Sequence, residues 1–319
     1  MPVNKENDIV AFYDAWYEQG YMDEWPRQKK QRVLELIKKL NLPKKGKVLD
    51  LGCGNAEFTG ILKKALPEWD VCGADISAVA VKKAKNRCPD CQFFMISEAS
   101  LNNEKFDFLF THHVLEHVDS IDKIWKQIDL YLKKPSFVLH ILPCGNQGSF
   151  EYNLCMLKKD GVEKYSGNRF YFEDKSHFRR LTAREVNELA ANHGFYPVAS
   201  FYSNHLYGAI DWITLESPRL ILLVTSKGKA KNIISVLKLI SLRAILLAIK
   251  LARFPANAID YKKNKLRTHQ YYLLFLLLLI FYPFSKSVNM FLHCMSDREW
   301  ENKKNKSNGS EMYLFFRRN

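Results

Sequence analysis

Acid is scarce in the last third of this 319-residue sequence. Only five of the 34 Asp and Glu lie beyond residue 218, against 19 of the 48 Lys and Arg. The first 218 residues balance at 29 of each sign, so the whole net charge of +14 sits in the last third. Such an asymmetry points to nucleic acid or to an anionic membrane surface. A secretory signal is also missing: "MPVNKENDIV" is polar and mixed in charge, which predicts a cytoplasmic chain. The seven cysteines are odd in number and scattered, which excludes a disulfide scaffold and suggests reduced thiols. Cys88 and Cys91 form one Cys-x-x-Cys without a second pair, too few ligands for a structural zinc. The chain is long enough for one large domain or two modest ones.

What is present is a regular alternation of strand-like and helix-like segments. Residues 29–40 place Val33, Leu36, Ile37 and Leu40 at helical spacing, and Pro43 and Gly46 break that helix. "KVLDLG" reads as a short buried strand, followed by a helix carrying Phe58, Ile61, Leu62 and Leu66 on one face. "WDVCGAD", "CQFFMIS", "FDFLFTH", "SFVLHIL" and "YPVASFY" read as further strands. Between them lie helices, one capped by Ser77 and one by Thr182 with Glu185 three residues on and Gly194 at its end. This rhythm predicts an α/β fold with a largely parallel sheet covered on both faces. Ligands of such sheets bind at the carboxyl ends of strands.

The first strand end is "VLDLGCGNAEF". Gly52 and Gly54 let the backbone turn sharply and approach a ligand; a bare tight turn is the alternative. Asp75 stands 21 residues past Gly54, where a carboxylate can accept both hydroxyls of a ribose. The third glycine of a dinucleotide fingerprint is absent, with Glu57 in its place, which disfavours a pyrophosphate and leaves room for a cationic nucleoside.

"VLDLGCGNAEFT", "GADIS", "FDFLFTHHVLEHV" and "HFRRLTAREVNELAANHGF" together resemble class I S-adenosylmethionine-dependent methyltransferases, in the branch that includes ubiquinone-biosynthesis O-methyltransferases. The resemblance covers about residues 8–205 and implies a Rossmann-like seven-stranded sheet. It implies that Asp50, Gly52, Cys53 and Gly54 hold the methionine part of S-adenosyl-L-methionine, that Asp75 and Ile76 hold the nucleoside, and that Ser97 or Glu98 meets the adenine. Thr111 and His112 would line the sulfonium pocket.

An oxygen acceptor must lose a proton, and a neutral histidine suits that work. The candidates are His112, His113, His117 and His177, with Glu116 beside them, and His117 or His177 is preferred as base. The alternative is that Glu116 and His117 brace the acceptor pocket, and that His177 pairs at the surface with Glu173 or Asp174. Residues 113–117 also fit the H-x-x-E-H pattern of inverted zinc proteases, which would need an active-site helix. Some relatives in the resembled branch carry E-x-x-E-H and bind a divalent metal. His113 replaces the first Glu here, and no metal is assigned. The aromatic stretch "FYDAWYEQGY" is expected to form a lid, or else a plain packing helix.

In residues 231–253, Lys231, Lys238, Arg243, Lys250 and Arg253 fall within roughly 140° of one another on a helix. That predicts a basic stripe facing anionic lipid, with an apolar remainder. Nucleic acid would leave the apolar face without a partner and is excluded on that ground. "YYLLFLLLLIFYPF", 271–284, is about 21 Å of helix, short of a roughly 30 Å hydrocarbon core. A monotopic or re-entrant insertion is expected, then a single span, then a homodimer contact. The division expected is a methyltransferase domain over 1–205, a basic, hydrophobic insertion over 206–310, and a final strand near 311–317. If "LILLVT" at 220–225 is that strand instead, the membrane part is a tail. The acceptor expected is lipidic or lipid-linked, with a soluble small molecule or glycan, or a non-catalytic scaffold, as alternatives.

Overall fold

A computed structural model describes residues 5–20, 25–97, 101, 103–162, 177–266 and 272–319; for 5–8, 261–266 and 272 the backbone alone is described. The strands are β1 (Gly46–Leu51), β2 (Trp69–Asp75), β3 (Gln92–Met95), β4 (Phe106–His112), β5 (Leu132–Pro143), β6 (Tyr196–Ser203) and β7 (Glu311–Arg318). They form one seven-stranded sheet in the order β3-β2-β1-β4-β5-β7-β6. The ladders β2–β3, β1–β2, β1–β4 and β4–β5 are parallel, with Val48 opposite both Val71 and Phe108. This is the α/β sheet expected from the alternation, and its seven strands are the Rossmann-like sheet that the resemblance implied.

The helices α1 (Lys5–Glu18) and α2 (Arg27–Lys39) precede β1, and between the strands lie α3 (Glu57–Ala65), α4 (Ala78–Arg87), α5 (Ile121–Tyr131), α6 (Phe150–Cys155) and α7 (Ala183–Asn192). Their faces follow the spacing: Val33, Leu36 and Ile37 of α2 and Phe58, Ile61 and Leu62 of α3 are buried. Ser77 accepts from Ala80 N at 3.1 Å, and Thr182 and Glu185 form a full capping box. The order reverses at β1. β2 and β3 run out on one side and β4 and β5 on the other, which makes the β1/β4 junction the switch point.

The chain divides into two compact units. The first is Met1–Pro143, Leu181–Ser200 and Met312–Asn319; the second is Cys144–Arg180 and Phe201–Glu311. Residues 144–180 therefore group with the C-terminal helices, which differs from an insertion confined to 206–310. The cause is a clasp within the second unit. The Arg180 guanidinium pairs with Glu151 at 2.5 Å, with both side chains 1% exposed. It also donates to the carbonyls of Cys144 (2.9 Å) and Ser310 (3.0 Å), while Cys144 N donates to Ser310 O at 2.7 Å. Trp212 Nε1 donates to the other Glu151 oxygen at 2.9 Å, so every strong group of this buried pair is used.

The rest of the second unit is helical: α8 (Tyr207–Leu215), α9 (Pro218–Val224), α10 (Ile233–Leu266) and α11 (Tyr272–Lys303). Residues 218–224 are helix, with Pro218 at its first turn, so the alternative strand at 220–225 does not exist. The final strand is β7. Glu299 of α11 caps α8 by accepting from Leu206 N and Gly208 N.

The basic stripe of α10 is not where the amphipathic pattern put it. Arg253 is fully buried, bonded to Asp211 Oδ1 (2.6 Å), Thr214 Oγ1 (2.5 Å) and Asn289 Oδ1 (2.6 Å). Lys250 donates to the carbonyls of Thr214 and Glu216, and Arg243 to Thr225 O, at the carboxyl ends of α8 and α9. Helix ends leave carbonyls without partners and carry partial negative charge, and these cations satisfy both. Lys231 and Lys238 remain exposed. The helix that carries the apolar run at 271–284 is longer than the run itself. Although Tyr271 lies outside the described residues, the helix continues through Pro283 into the polar residues up to Lys303.

Candidate functional site

Beyond Leu51 the chain makes a left-handed turn. Gly52 (φ 77°), Gly54 (φ 51°) and Ala56 (φ 67°) all take positive φ before α3 begins. A Cβ on Gly52 would lie 2.4 Å from Val114 Cγ2, and one on Gly54 2.8 Å from the Tyr17 hydroxyl. Conformation and space both require glycine there. Gly52 N and Cys53 N donate to Ala74 O at 2.8 and 3.0 Å, fastening the turn to the end of β2. The next amide, Gly54 N, donates to Asp75 Oδ2 at 2.8 Å, and Ser77 N donates to Oδ1 at 2.9 Å.

Asp50, Gly52, Gly54 and Asp75 are thus brought together at the carboxyl ends of β1 and β2. Asp50 is buried, and Thr59 Oγ1 donates to it at 2.6 Å. Burial pushes the Asp50 carboxyl up to about 7, and the Asp75 charge adds to that. Burial raises Asp75 too, opposed by the amide donors of Ser77, Gly54 and Ile76. Two buried acids that resist ionisation favour a cationic, hydroxyl-bearing ligand. The Cys53 thiol is buried and donates to Gly54 O at 3.6 Å; burial raises its pKa well above the ordinary thiol value, leaving it inert. Ile76 is half-buried, Ser97 is exposed, and Glu98 lies outside the described residues.

Glu57 is paired with Lys30 at 2.6 Å and Arg87 at 2.8 Å. Its charge is neutralised, so it does not disfavour a phosphate as the sequence argument held. α1 is bolted over the start of α4: Asp14 accepts from Ser77 Oγ (2.5 Å) and Val79 N (3.3 Å), and Lys83 Nζ donates to Tyr17 O (2.5 Å).

Thr111 and His112 face opposite sides of β4, as neighbouring strand residues must. His112 stacks on Phe58 of α3 at 3.8 Å, with Trp25 edge-on at 4.6 Å. The Thr111 hydroxyl meets His140 Nδ1 at 2.7 Å on the other side, near Trp125 of α5. Burial lowers His140 to about 3, so it is neutral there. Lining one pocket with both Thr111 and His112 side chains is therefore corrected: Thr111 is committed to His140.

Residues 115–117 form a turn, not the helix that an H-x-x-E-H zinc site requires. His113 has φ 54° and lies between two charged partners. Its Nε2 is 3.1 Å from Lys29 Nζ, and its Nδ1 is 3.0 Å from Glu116 Oε1. An ammonium only donates, so Nε2 accepts and the Nδ1 proton faces Glu116. His117 is half-buried, with Tyr13 edge-on at 6.1 Å. His177 is half-buried in the second unit, and its alternative partners Glu173 and Asp174 lie outside the described residues. Lys29, Thr59 and His140 were not read from the sequence as site residues. Lys29 and Thr59 sit inside helices where a charged or small polar residue gives no local signal.

A family model for a methyltransferase domain matches residues 21–200. The chain belongs to this methyltransferase-domain family. Trans-aconitate 2-methyltransferase of Methylobacterium nodulans is 32% identical over 108 residues, covering 34% of this chain and 40% of the relative. The enzyme of the same name from Escherichia coli (strain K12 / DH10B) is 29% identical over 93 residues, covering 28% and 36%. This methyltransferase-domain chain thus spans well under half the length of the curated relatives it matches. Among solved structures, magnesium protoporphyrin IX methyltransferase from Synechocystis PCC 6803 with bound SAH shares 17% identity. It covers 63% of this chain and 94% of its own, with a TM-score of 0.45.

Proposed function

We propose that this chain is an S-adenosylmethionine-dependent methyltransferase acting on an oxygen of a lipidic or lipid-linked acceptor at the cytoplasmic membrane face, as in the ubiquinone-type branch its motifs resemble. The observation that carries the first part is the Asp75 carboxylate, held at the carboxyl end of β2 by Gly54 N and Ser77 N with Asp50 buried close by. The donor set fits the cofactor. A carboxylate has about four acceptor positions, so Asp75 keeps capacity for ribose hydroxyls after accepting two amides. Asp50 offers a buried charge to an ammonium group. When bound, the cofactor supplies an activated methyl group, and alignment is then the main task of the protein.

His117 is the proton acceptor in this reading, and His113, held between Lys29 and Glu116, orients the segment that carries it. A lipidic acceptor is favoured by α11, whose residues Leu273–Lys303 include an 18-residue window apolar enough to cross a membrane, with only 22% of that window buried. The second reading is a soluble anionic acceptor, favoured by the similarity to trans-aconitate methyltransferases. Methyl transfer from labelled cofactor to a total lipid extract, run beside transfer to trans-aconitate, separates the two. Label in neither fraction, together with no cofactor binding by calorimetry, would refute the enzyme.

A further inference from the structure

The second unit is built inside out around α10 and α11. Polar rungs join the two helices: Arg253 and Asn257 meet Asn289, Ser285 Oγ accepts from Ala256 N at 2.9 Å, and Asp260 pairs with Tyr282 and Lys286. Small apolar contacts among Ala258, Ile259, Phe275 and Leu278 fill the space between. Arg253 of α10 points into this interior, and Arg243 and Lys250 point onto the ends of α8 and α9. What points outward is mostly aliphatic and aromatic, with Lys238 and Ser241 among it: Ile233 (70% exposed), Leu237 (58%) and Leu251 (73%) on α10, and Leu273 (82%), Ile280 (71%) and Phe284 (62%) on α11.

The breadth of this face identifies what covers it. At about 100° per residue, the exposed positions of α11 run from Leu279 through Leu276, Ile280 and Leu277 to Leu274, an arc of roughly 220°. One partner helix packs against a stripe of roughly 100–140°, so a second copy of this chain would leave much of the arc in water. No Asp, Glu, Lys or Arg interrupts α11 between Tyr272 and Phe284. A face that wide and that free of charge matches a solvent without charge on all sides.

We propose that the outward face of α10 and α11 is a bilayer-inserting surface whose ligand is the hydrocarbon of one leaflet rather than anionic headgroups. This rests on the membrane half of the proposed function and is independent of the methyl-transfer half. It reverses the expectation of a basic stripe on lipid: three of the five cations serve the protein's interior, so attraction to anionic headgroups is secondary.

The test is flotation of the full chain with vesicles of pure phosphatidylcholine, at low salt and at 1 M NaCl, beside a triple variant Leu277→Lys, Ile280→Lys, Phe284→Lys. Cofactor calorimetry on the same samples reports the methyl-transfer reading separately. The wild type should float with the neutral vesicles at both salt concentrations. The variant should lose at least about a hundredfold in vesicle affinity, since three side chains no longer bury apolar surface, while cofactor affinity stays within twofold. The substituted residues are solvent-facing, so the variant should fold, and its circular dichroism should match the wild type. Flotation only with anionic vesicles at low salt would overturn the proposal in favour of headgroup attraction. A wild type that runs as a discrete dimer without detergent and ignores vesicles would overturn it in favour of self-association.

Discussion

Asp50 is buried at the glycine turn, and its carboxyl is raised to about 7 by burial. A free carboxyl near 3.8 in the unfolded chain and near 7 in the folded one means that the folded state holds the proton more tightly. Stability is therefore greatest below the unfolded value and declines as pH rises between the two. At about 1.36 kcal/mol per unit, the ionised Asp50 costs the unliganded protein up to about 4 kcal/mol at pH 8 and about 1 kcal/mol at pH 4.5. Asn keeps an acceptor for Thr59 Oγ1 and carries no charge. Asp50→Asn should therefore raise Tm at pH 8 by roughly ten degrees, by the usual scaling of a few degrees per kcal/mol, and by only about a quarter as much at pH 4.5. Its affinity for S-adenosylmethionine should fall at least tenfold, because the site then lacks the charge that meets the ammonium group. For the wild type, affinity should strengthen as pH rises through about 7 and then level off. Calorimetric melts at the two pH values, with titrations of cofactor from pH 6 to 8.5, check all three statements. An Asn variant that melts lower than wild type at pH 8, or a wild-type affinity flat across pH 7, would refute the reasoning.

Asp75→Ala should weaken cofactor binding at least tenfold, since charge-assisted hydrogen bonds contribute about 1.5–3 kcal/mol each, and it should also loosen the amides of Gly54 and Ser77, read by hydrogen exchange. Gly54→Ala forces a Cβ into positive φ and against the Tyr17 hydroxyl, so both Tm and cofactor affinity should drop; pairing it with Tyr17→Phe should recover only the steric part. Lys29→Met removes the donor to His113 Nε2, so kcat should fall while cofactor affinity is kept; an unmoved kcat removes His113 from the site. Arg253→Leu leaves Asp211 with only His293 Nε2 at 3.6 Å in place of the buried guanidinium and should cost about 3–5 kcal/mol, seen as early loss of the helical transition in thermal melts.

Much of the first unit was legible because its signals are local. Alternating apolar segments, the two glycines and the acid at the next strand end follow from chain geometry, and they meet where they should. The same kind of local reading failed on α10. Five cations on one side of a helix look like a solvent-facing stripe. The partners that engage three of them, the carbonyl ends of α8 and α9 and the side chains of Asp211 and Asn289, come from distant parts of the chain that no periodicity reports. Thr111 and Glu57 teach a related lesson. Strand alternation could have placed Thr111 opposite His112, but nothing local gives Glu57 its partners Lys30 and Arg87. The link between residues 144–180 and the C-terminal helices was hidden as well, since it depends on one arginine reaching carbonyls over a hundred residues apart.

The place of β7 has a consequence for how the chain is made. β5 and β6 are neighbours of β7, not of each other, and about 100 residues separate the end of β6 from the start of β7. During synthesis, at about 5–20 residues per second, both strands must therefore wait for several seconds with an open edge apiece. Open edges invite pairing with other chains. The helices α8 to α11 emerge during that interval, so a stalled ribosome or a nonsense codon anywhere within them would release a sheet missing an interior strand. Such a product should be a substrate for chaperones and proteases instead of a smaller working enzyme.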